Sequence, residues 1–428
     1  MSWFNDYARF NECYVDTCEV HGITTATKLN RILAKDIKMS FHKADTKRNN
    51  HTVVISDKYK ETARSYIIPN INNHGCNYIV SDKNGFVFEE TREALFDAGY
   101  TVHTLNLKNI INSISFNPFT FLRKNPQMLN QNIANLVKIM VNSGYDNGER
   151  YFEDAEKMLL SAILYYHVEI GAPFRISDVL YSIKRVWSYE FEKDLDSMRH
   201  RGGMSQKCYE TFVRNSGKSR NAMIKSLLIR LMPFSTADCD MTMYDDTFDF
   251  NVLKKEKQAV FITYDNQDEF VKIRQLFDWA LLQKFTEDYQ NQMGIQYETY
   301  TMWFYDDTSK MFDEYLSTFT QVLGECGVGL SAISDELPKY LEDVKYSAAS
   351  LLTMFDTIIY LDSANEAGKD FVKKLLASNK KISNRNVEMV DKMPDDKCIV
   401  QVRGILPFFE TRATSQQNTF DFSHCFEE

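Results

Sequence analysis

The chain has 428 residues, 44% of them hydrophobic and 25% charged, and its 59 acidic and 50 basic side chains leave a net charge of −9. This is the composition of a globular protein long enough for about two or three cores. The acidic balance excludes a global positive field that would coat nucleic acid, though not a local basic channel.

The eight cysteines (13, 18, 76, 208, 239, 326, 398 and 425) are scattered without a CxxC pair, and the histidines form neither HxxxH nor HExxH. No metal site is expected, and the thiols read as free groups of a reducing cytoplasm. The start, Met1 to Asp6, has no basic region leading into an apolar core, so no signal peptide is expected. The longest apolar run, Met158 to Val168, spans about eleven residues where a membrane helix needs about 20. The expectation is a cytoplasmic chain without a membrane span of its own.

Residues 1–50 are mixed and polar, ending in His42-Lys43-Ala44-Asp45-Thr46-Lys47-Arg48-Asn49-Asn50, which reads as a solvated approach to the first strand. Thr52-Val53-Val54-Ile55 is rich in β-branched residues and predicts a buried strand. A helical segment follows over Tyr59–Ile68, then a strand over Asn77–Val80 ending in Ser81-Asp82. Helical composition over 89–98 stops at Gly99, and Thr101–Asn106 alternates as a third strand. This alternation predicts a parallel α/β sheet. Between about 120 and 245 helices dominate, over 126–142, 151–169, 176–186, 205–213 and 218–231. Strand-like runs return at 259–263, 301–305, 329–333, 357–361 and 398–402. An α/β sheet interrupted by an all-helical insertion accounts for this order. No repeat, Pro-rich linker or low-complexity stretch interrupts it.

Six segments carry a resemblance. They are RNNHTVVISDKYKETARSYIIPNI (Arg48–Ile71), YIVSDKNGFVFEET (Tyr78–Thr91), SFNPF (Ser115–Phe119), NSGKSRNAMIKSLLIRLMPF (Asn215–Phe234), WFYDDTSKM (Trp303–Met311) and IVQVRGILPFF (Ile399–Phe409). In this order and spacing they resemble, respectively, the strand leading into the phosphate loop, the V-[ST]-D-P-K-G strand end, the FNPF step, the helical-domain signature, the Walker B strand and the closing RGLPPF turn of the type IV secretion coupling proteins. These form the TraG/TraD class of hexameric DNA-pumping ATPases. The resemblance implies an α/β fold: a RecA-like, P-loop NTPase-type parallel sheet flanked by helices, with an all-α insertion domain. It places an N-terminal segment at 1–50, a split nucleotide-binding-type domain at 51–119 and 246–428, and the all-α domain at 120–245. In the family the all-α domain contributes to substrate engagement, and a pair of membrane helices usually precedes the sheet; this sequence shows none.

A phosphate loop, GxxxxGK[ST], needs glycines so that backbone N–H groups can wrap the phosphates, a Lys for the terminal phosphates and a hydroxyl for Mg²⁺. At the matching place stand Ser56-Asp57-Lys58-Tyr59-Lys60-Glu61-Thr62-Ala63-Arg64, without glycine. Aligned on Ile55 and Pro69, the Lys position falls on Thr62 and the hydroxyl position on Ala63. Lys58, Lys60, Thr62 and Arg64 are the residues left to meet a nucleotide. In the Walker B segment, Asp306 can sit at a strand end and orient a Mg²⁺-bound water, with Asp307 one methylene short of the family's Glu, or the two acids are only a polar strand terminus; Ile333 occupies the place of the family's phosphate-sensing Gln. The letters Gly217-Lys218-Ser219 belong to the helical-domain signature, because no apolar strand precedes them and Phe212 replaces the first loop glycine. The same stretch gathers Arg214, Lys218, Arg220, Lys225 and Arg230 without an acidic residue, either a solvated helix face or a contact for DNA phosphates or an acidic partner. Arg199-His200-Arg201 adds a second basic cluster.

Three functions follow. The first is a coupling-protein relative that does not hydrolyse ATP, needs no cofactor, and recruits substrate or scaffolds conjugation or secretion machinery proteins. The second is a divergent DNA-translocating ATPase using ATP and Mg²⁺ through Lys58 or Lys60 and Asp306. The third is a DNA-binding module built on the basic helices.

Overall fold

The computed structural model describes residues 30–35, 37–42, 46, 48–109, 113–124, 126–141, 150–198, 202–265, 268–291, 300–306, 316–334, 354–362, 366–377, 387–404 and 407–414. The chain divides into two compact units, a sheet unit (residues 1–103, 251–263 and 288–428) and a helical unit (104–250 and 264–287).

Eleven strands are described: β1 (Asn30–Ala34), β2 (Ile37–Ser40), β3 (Thr52–Ser56), β4 (Asn77–Lys83), β5 (Thr101–Asn106), β6 (Gln258–Tyr264), β7 (Thr301–Asp306), β8 (Val328–Ile333), β9 (Thr357–Asp362), β10 (Lys397–Val402) and β11 (Phe408–Thr411). Nine of them form one sheet in the order β11-β10-β9-β3-β8-β7-β4-β6-β5, and β1 pairs with β2 as a separate hairpin. The core of the sheet is parallel: β3 runs with β8 and β9, and β7 with β8 and β4. β10 is antiparallel to its neighbours β9 and β11. Strands buried on both faces read as unbroken apolar runs, which is why Val53, Val54 and Ile55, or Trp303, Phe304 and Tyr305, are fully enclosed.

After β3 the chain enters one continuous helix, α1, made of an α-helical turn (Tyr59–Thr62), a widened π turn (Ala63–Ile67) and a further α-helical stretch (Ile68–Asn72). Pro69 explains the widening, since its ring lacks an N–H and crowds the preceding turn. The π turn carries Tyr66, whose hydroxyl meets Ser331 Oγ at 3.0 Å on β8. Asn70 pins the β1 strand to α1, donating to Ile32 O (2.9 Å) and accepting from Ile32 N (2.7 Å).

Of the stretch expected to be a solvated approach, His42 is exposed and Asn49 and Asn50 are half-buried, while Thr46 and Arg48 are interior. Thr46, Arg48 and His51 are buried: Thr46 bonds locally to His42 O and Arg48, whereas Arg48 and His51 also find partners distant in sequence. Arg48 donates to Arg403 O and Thr46 O, and Asn49 Nδ2 to Met354 O. His51 accepts Leu330 N–H at Nδ1 (3.0 Å) and so carries its proton on Nε2, 2.7 Å from Thr320 O. Asn50 also runs against β8 at Gly329, where an added Cβ would lie 2.8 Å from Asn50 O. Glycine within a strand marks such a close backbone approach. Gly329→Ala is therefore expected to cost about 2–3 kcal/mol in urea unfolding.

In the helical unit, α3 (Arg150–Ile170) packs against α4 (Met204–Ser216) and α5 (Arg220–Arg230); α2 (Phe86–Asp97) belongs to the sheet unit. The SFNPF segment lies in the helical unit. Asn117 caps the turn at Phe119 and donates to Phe174 O (2.9 Å), while the Phe119 and Phe174 rings stack. Much of a long helix, Asp268–Gln290, also clusters there.

Candidate functional site

Parallel strands release their chains at one edge, and α/β folds bind ligands outside that carboxyl edge. Here the edge gathers Ser56 from β3, Asp82 from β4, Asp306 from β7, and Ile333 and Ser334 from β8. Register places Asp306 directly across from Ile333, and Ile333 beside Val54, so β8 alone separates the two strands. The structure thus brings together the Asp306 and Ile333 positions singled out in the sequence, while Asp307 lies outside the described residues.

The connection at β3 is short. Asp57 and Lys58 alone separate the strand from α1. Lys58 N–H donates to Ser56 Oγ at 3.3 Å, a local turn that directs this amide at its own chain. Thr62 is fully buried and donates its hydroxyl to Lys58 O at 3.0 Å; Ala63 is fully buried beside it. Lys60 and Arg64, one helical turn apart, lie over the Phe86 ring at 5.5 and 5.3 Å. Lys58 instead approaches Glu61, with Nζ 3.7 Å from Oε2.

Asp82 has a structural task. Its carboxylate accepts Val87 N–H (2.9 Å) and Phe88 N–H (2.8 Å) at the start of α2, and the Tyr59 hydroxyl at 3.1 Å. Asn84 and Gly85 make the intervening turn with φ of 64° and 76°, a conformation Gly and Asn adopt with least strain. Burial outweighs these donors and pushes the carboxyl up to about 6 from 3.8. An acid that holds its proton more tightly when folded stabilises the fold below its unfolded value and loses that contribution as pH rises through the folded one. Stability is expected to fall by roughly 3 kcal/mol between about pH 4 and 6 from this group. The difference in unfolding free energy between wild type and Asp82→Asn, followed across that window, isolates the slope.

In the helical unit, Gly217–Ser219 is a turn between α4 and α5, so a helix and not a strand leads into it. Arg214, Lys218 and Lys225 are exposed, and none has an ion-pair partner among the described residues. Arg220 and Arg230 meet counter-ions where an open face was expected. Arg220 donates to Val186 O (2.7 Å) and Tyr209 OH (3.0 Å), and pairs with Glu192 at 3.0 Å. Arg230 Nε lies 2.6 Å from Oε2 of the fully buried Glu156. These acids sit on other helices, invisible to a reading of residues 214–230 alone. Arg199, His200 and Arg201 lie outside the described residues.

No group of three or more His, Cys, Asp or Glu side chains able to hold a metal occurs among the described residues, and none of the described helices is long and apolar enough to cross a membrane.

A mostly parallel mixed sheet, with its P-loop-position strand separated from its Walker B-position strand by one strand, and an accompanying helical region, define a RecA-type α/β ATPase fold. Known structures agree. The bacterial conjugative coupling protein TrwB lacking its N-terminal segment, in its unbound form, is similar at a TM-score of 0.62 and 11% identity, with 92% of each chain covered. TrwB in complex with a non-hydrolysable ATP analogue is similar at 0.62 and 12%, covering 91% of this chain and 90% of that one. VirB4 of Thermoanaerobacter pseudethanolicus is similar at 0.57 and 13%, covering 92% and 99%. No curated protein matches the sequence. The chain belongs to the family described as "Type IV secretory system Conjugative DNA transfer", which matches residues 27–317. It is a coupling-protein-like component of conjugative DNA transfer, and membership implies partners among the proteins of that machinery.

Proposed function

We propose that this chain keeps the frame of a coupling protein without hydrolysing ATP, and serves substrate recruitment or scaffolding in the conjugation machinery. The observation that carries this is the Asp57-Lys58 connection between β3 and α1. A phosphate loop presents several successive amides to the phosphates. Here two residues span the gap, and the Thr62 hydroxyl is committed to Lys58 O. Ala63, at the Mg²⁺-hydroxyl position, has no oxygen to offer. The division into a split nucleotide-binding-type domain at 51–119 and 246–428 and an all-α domain at 120–245 is part of the same proposal.

Phosphate release from Mg²⁺-ATP, measured with and without DNA, should stay at the level of a heat-inactivated control. Turnover that is lost in Asp306→Ala would instead establish the divergent ATPase, using Asp306 with Lys58 or Lys60. A second reading, DNA contact through the helical unit, is favoured by the exposure of Arg214, Lys218 and Lys225.

A further inference from the structure

Strand β11 ends at the same edge of the sheet as β3. Ser56 pairs with Asp362 at the end of β9; β10 runs antiparallel to β9, and Lys397 at the start of β10 pairs with Thr411. The next residue, Arg412, is thereby brought beside the first turn of α1. Its backbone N–H donates to Asp396 O at 2.8 Å, and its Nε donates to Lys397 O at 2.7 Å. The first holds the backbone and the second orients the guanidinium. The side chain is only 8% exposed, yet Nη2 is buried without a hydrogen-bond partner. Among the described residues, Nη1 faces the carboxylate of Glu61, with Oε2 at 3.8 Å, and Lys58 Nζ reaches that same oxygen at 3.7 Å.

A buried guanidinium with an unmade bond is costly unless an anion approaches it, and a guanidinium fork suits the paired oxygens of a phosphate or carboxylate. Glu61 answers that need from a distance, while its own side chain is 52% exposed. It lies in the first turn of α1, at the sheet edge where this fold accommodates anionic ligands.

We infer that Lys58 and Arg412 form a latent oxyanion site whose resident anion is the chain's own Glu61 carboxylate. The site takes a single phosphate-sized oxyanion once that carboxylate is neutralised or displaced. The inference rests on the non-hydrolysing reading, since it supplies the group that holds the two cations in place of a nucleotide. It also assigns Arg412, which lies outside all six family-like segments, as the anchoring cation.

The test is a titration of the full chain with inorganic phosphate at low ionic strength, followed by phosphorus NMR and by calorimetry. Glu61→Gln should bind phosphate about tenfold more tightly than wild type, because the competing charge is gone. Arg412→Gln in the Glu61→Gln background should return binding to the wild-type level. Because Glu61 is half exposed, its neutralisation leaves the fold intact, and Glu61→Ala provides a second variant with the same expectation. Unchanged phosphate affinity in both Glu61 variants would overturn the inference, as would undiminished binding by Glu61→Gln/Arg412→Gln. Neither result bears on ATP turnover by wild type, so the two readings fail separately.

Discussion

Replacing Asp356 with alanine is expected to destabilise the sheet unit by about 3–5 kcal/mol in urea unfolding. Asp356 is fully buried at the amino edge of the sheet, just before β9. Its carboxylate pairs with Arg403 through both oxygens and accepts Asn49 N–H. It is also the carboxylate whose field reaches Arg31, which is entirely buried. Arg31 donates to Thr52 Oγ1 at 2.6 Å, Asn50 O at 2.8 Å and Thr357 Oγ1 at 3.0 Å. Those neutral acceptors meet its two terminal nitrogens and leave Nε without a partner, while burial lowers the guanidinium pKa against the fields of Tyr66 and Asp356. Removing the anion therefore strands one buried cation and frees another that is half exposed. Asp356→Asn keeps an acceptor for Asn49 and should lie between wild type and alanine. A loss under about 1 kcal/mol for Asp356→Ala would show that the neutral acceptors suffice.

Arg220→Ala is expected to cost about 2–4 kcal/mol, and Lys225→Ala, five residues along the same helix, close to nothing. The first removes donors to Val186 O and Tyr209 OH, the partner of Glu192, and the guanidinium stacked 4.1 Å from the Tyr189 ring. Tyr189 adopts φ of 58° at the end of helix Ile176–Trp187, a position that normally falls to glycine. The guanidinium stacks on the ring of this residue, whose backbone holds the left-handed conformation. This contrast matters for testing DNA contact. A binding defect in an Arg220 variant would report on folding, whereas Arg214→Ala, Lys218→Ala and Lys225→Ala read the surface itself. Combined, those three should weaken salt-dependent DNA binding if the helical unit contacts phosphates, and unchanged binding would exclude that reading.

The parallel core was legible because its strands are enclosed on both faces and carry uninterrupted apolar residues. Residues 52–55, 301–305 and 357–361 fall within β3, β7 and β9. The hairpin of β1 and β2 was not, since Arg31 breaks its apolar run and is buried through partners distant in sequence, in β3 and β9 among others. Helices Asp268–Gln290, Leu316–Glu325 and Glu366–Ala377 went undrawn among the late strands. The polar run ending in Arg48-Asn49-Asn50 misled for a physical reason. Arg48 and Asn49 make hydrogen bonds that span more than 300 residues of sequence, so no local pattern announces them. At the carboxyl edge, the missing glycines and the surviving Asp306 were visible in the sequence. The shortness of the β3–α1 connection, the task of Asp82 and the arrival of Arg412 depend on where strands end, which requires the fold.

The proposal that this coupling-protein frame does not use ATP predicts that it also binds none. Calorimetric titration of the full chain with Mg²⁺-ATP tests it most directly. The account predicts no heat of binding beyond dilution, and the same trace for wild type and Asp306→Ala. A saturable isotherm in wild type that disappears in Asp306→Ala would contradict it.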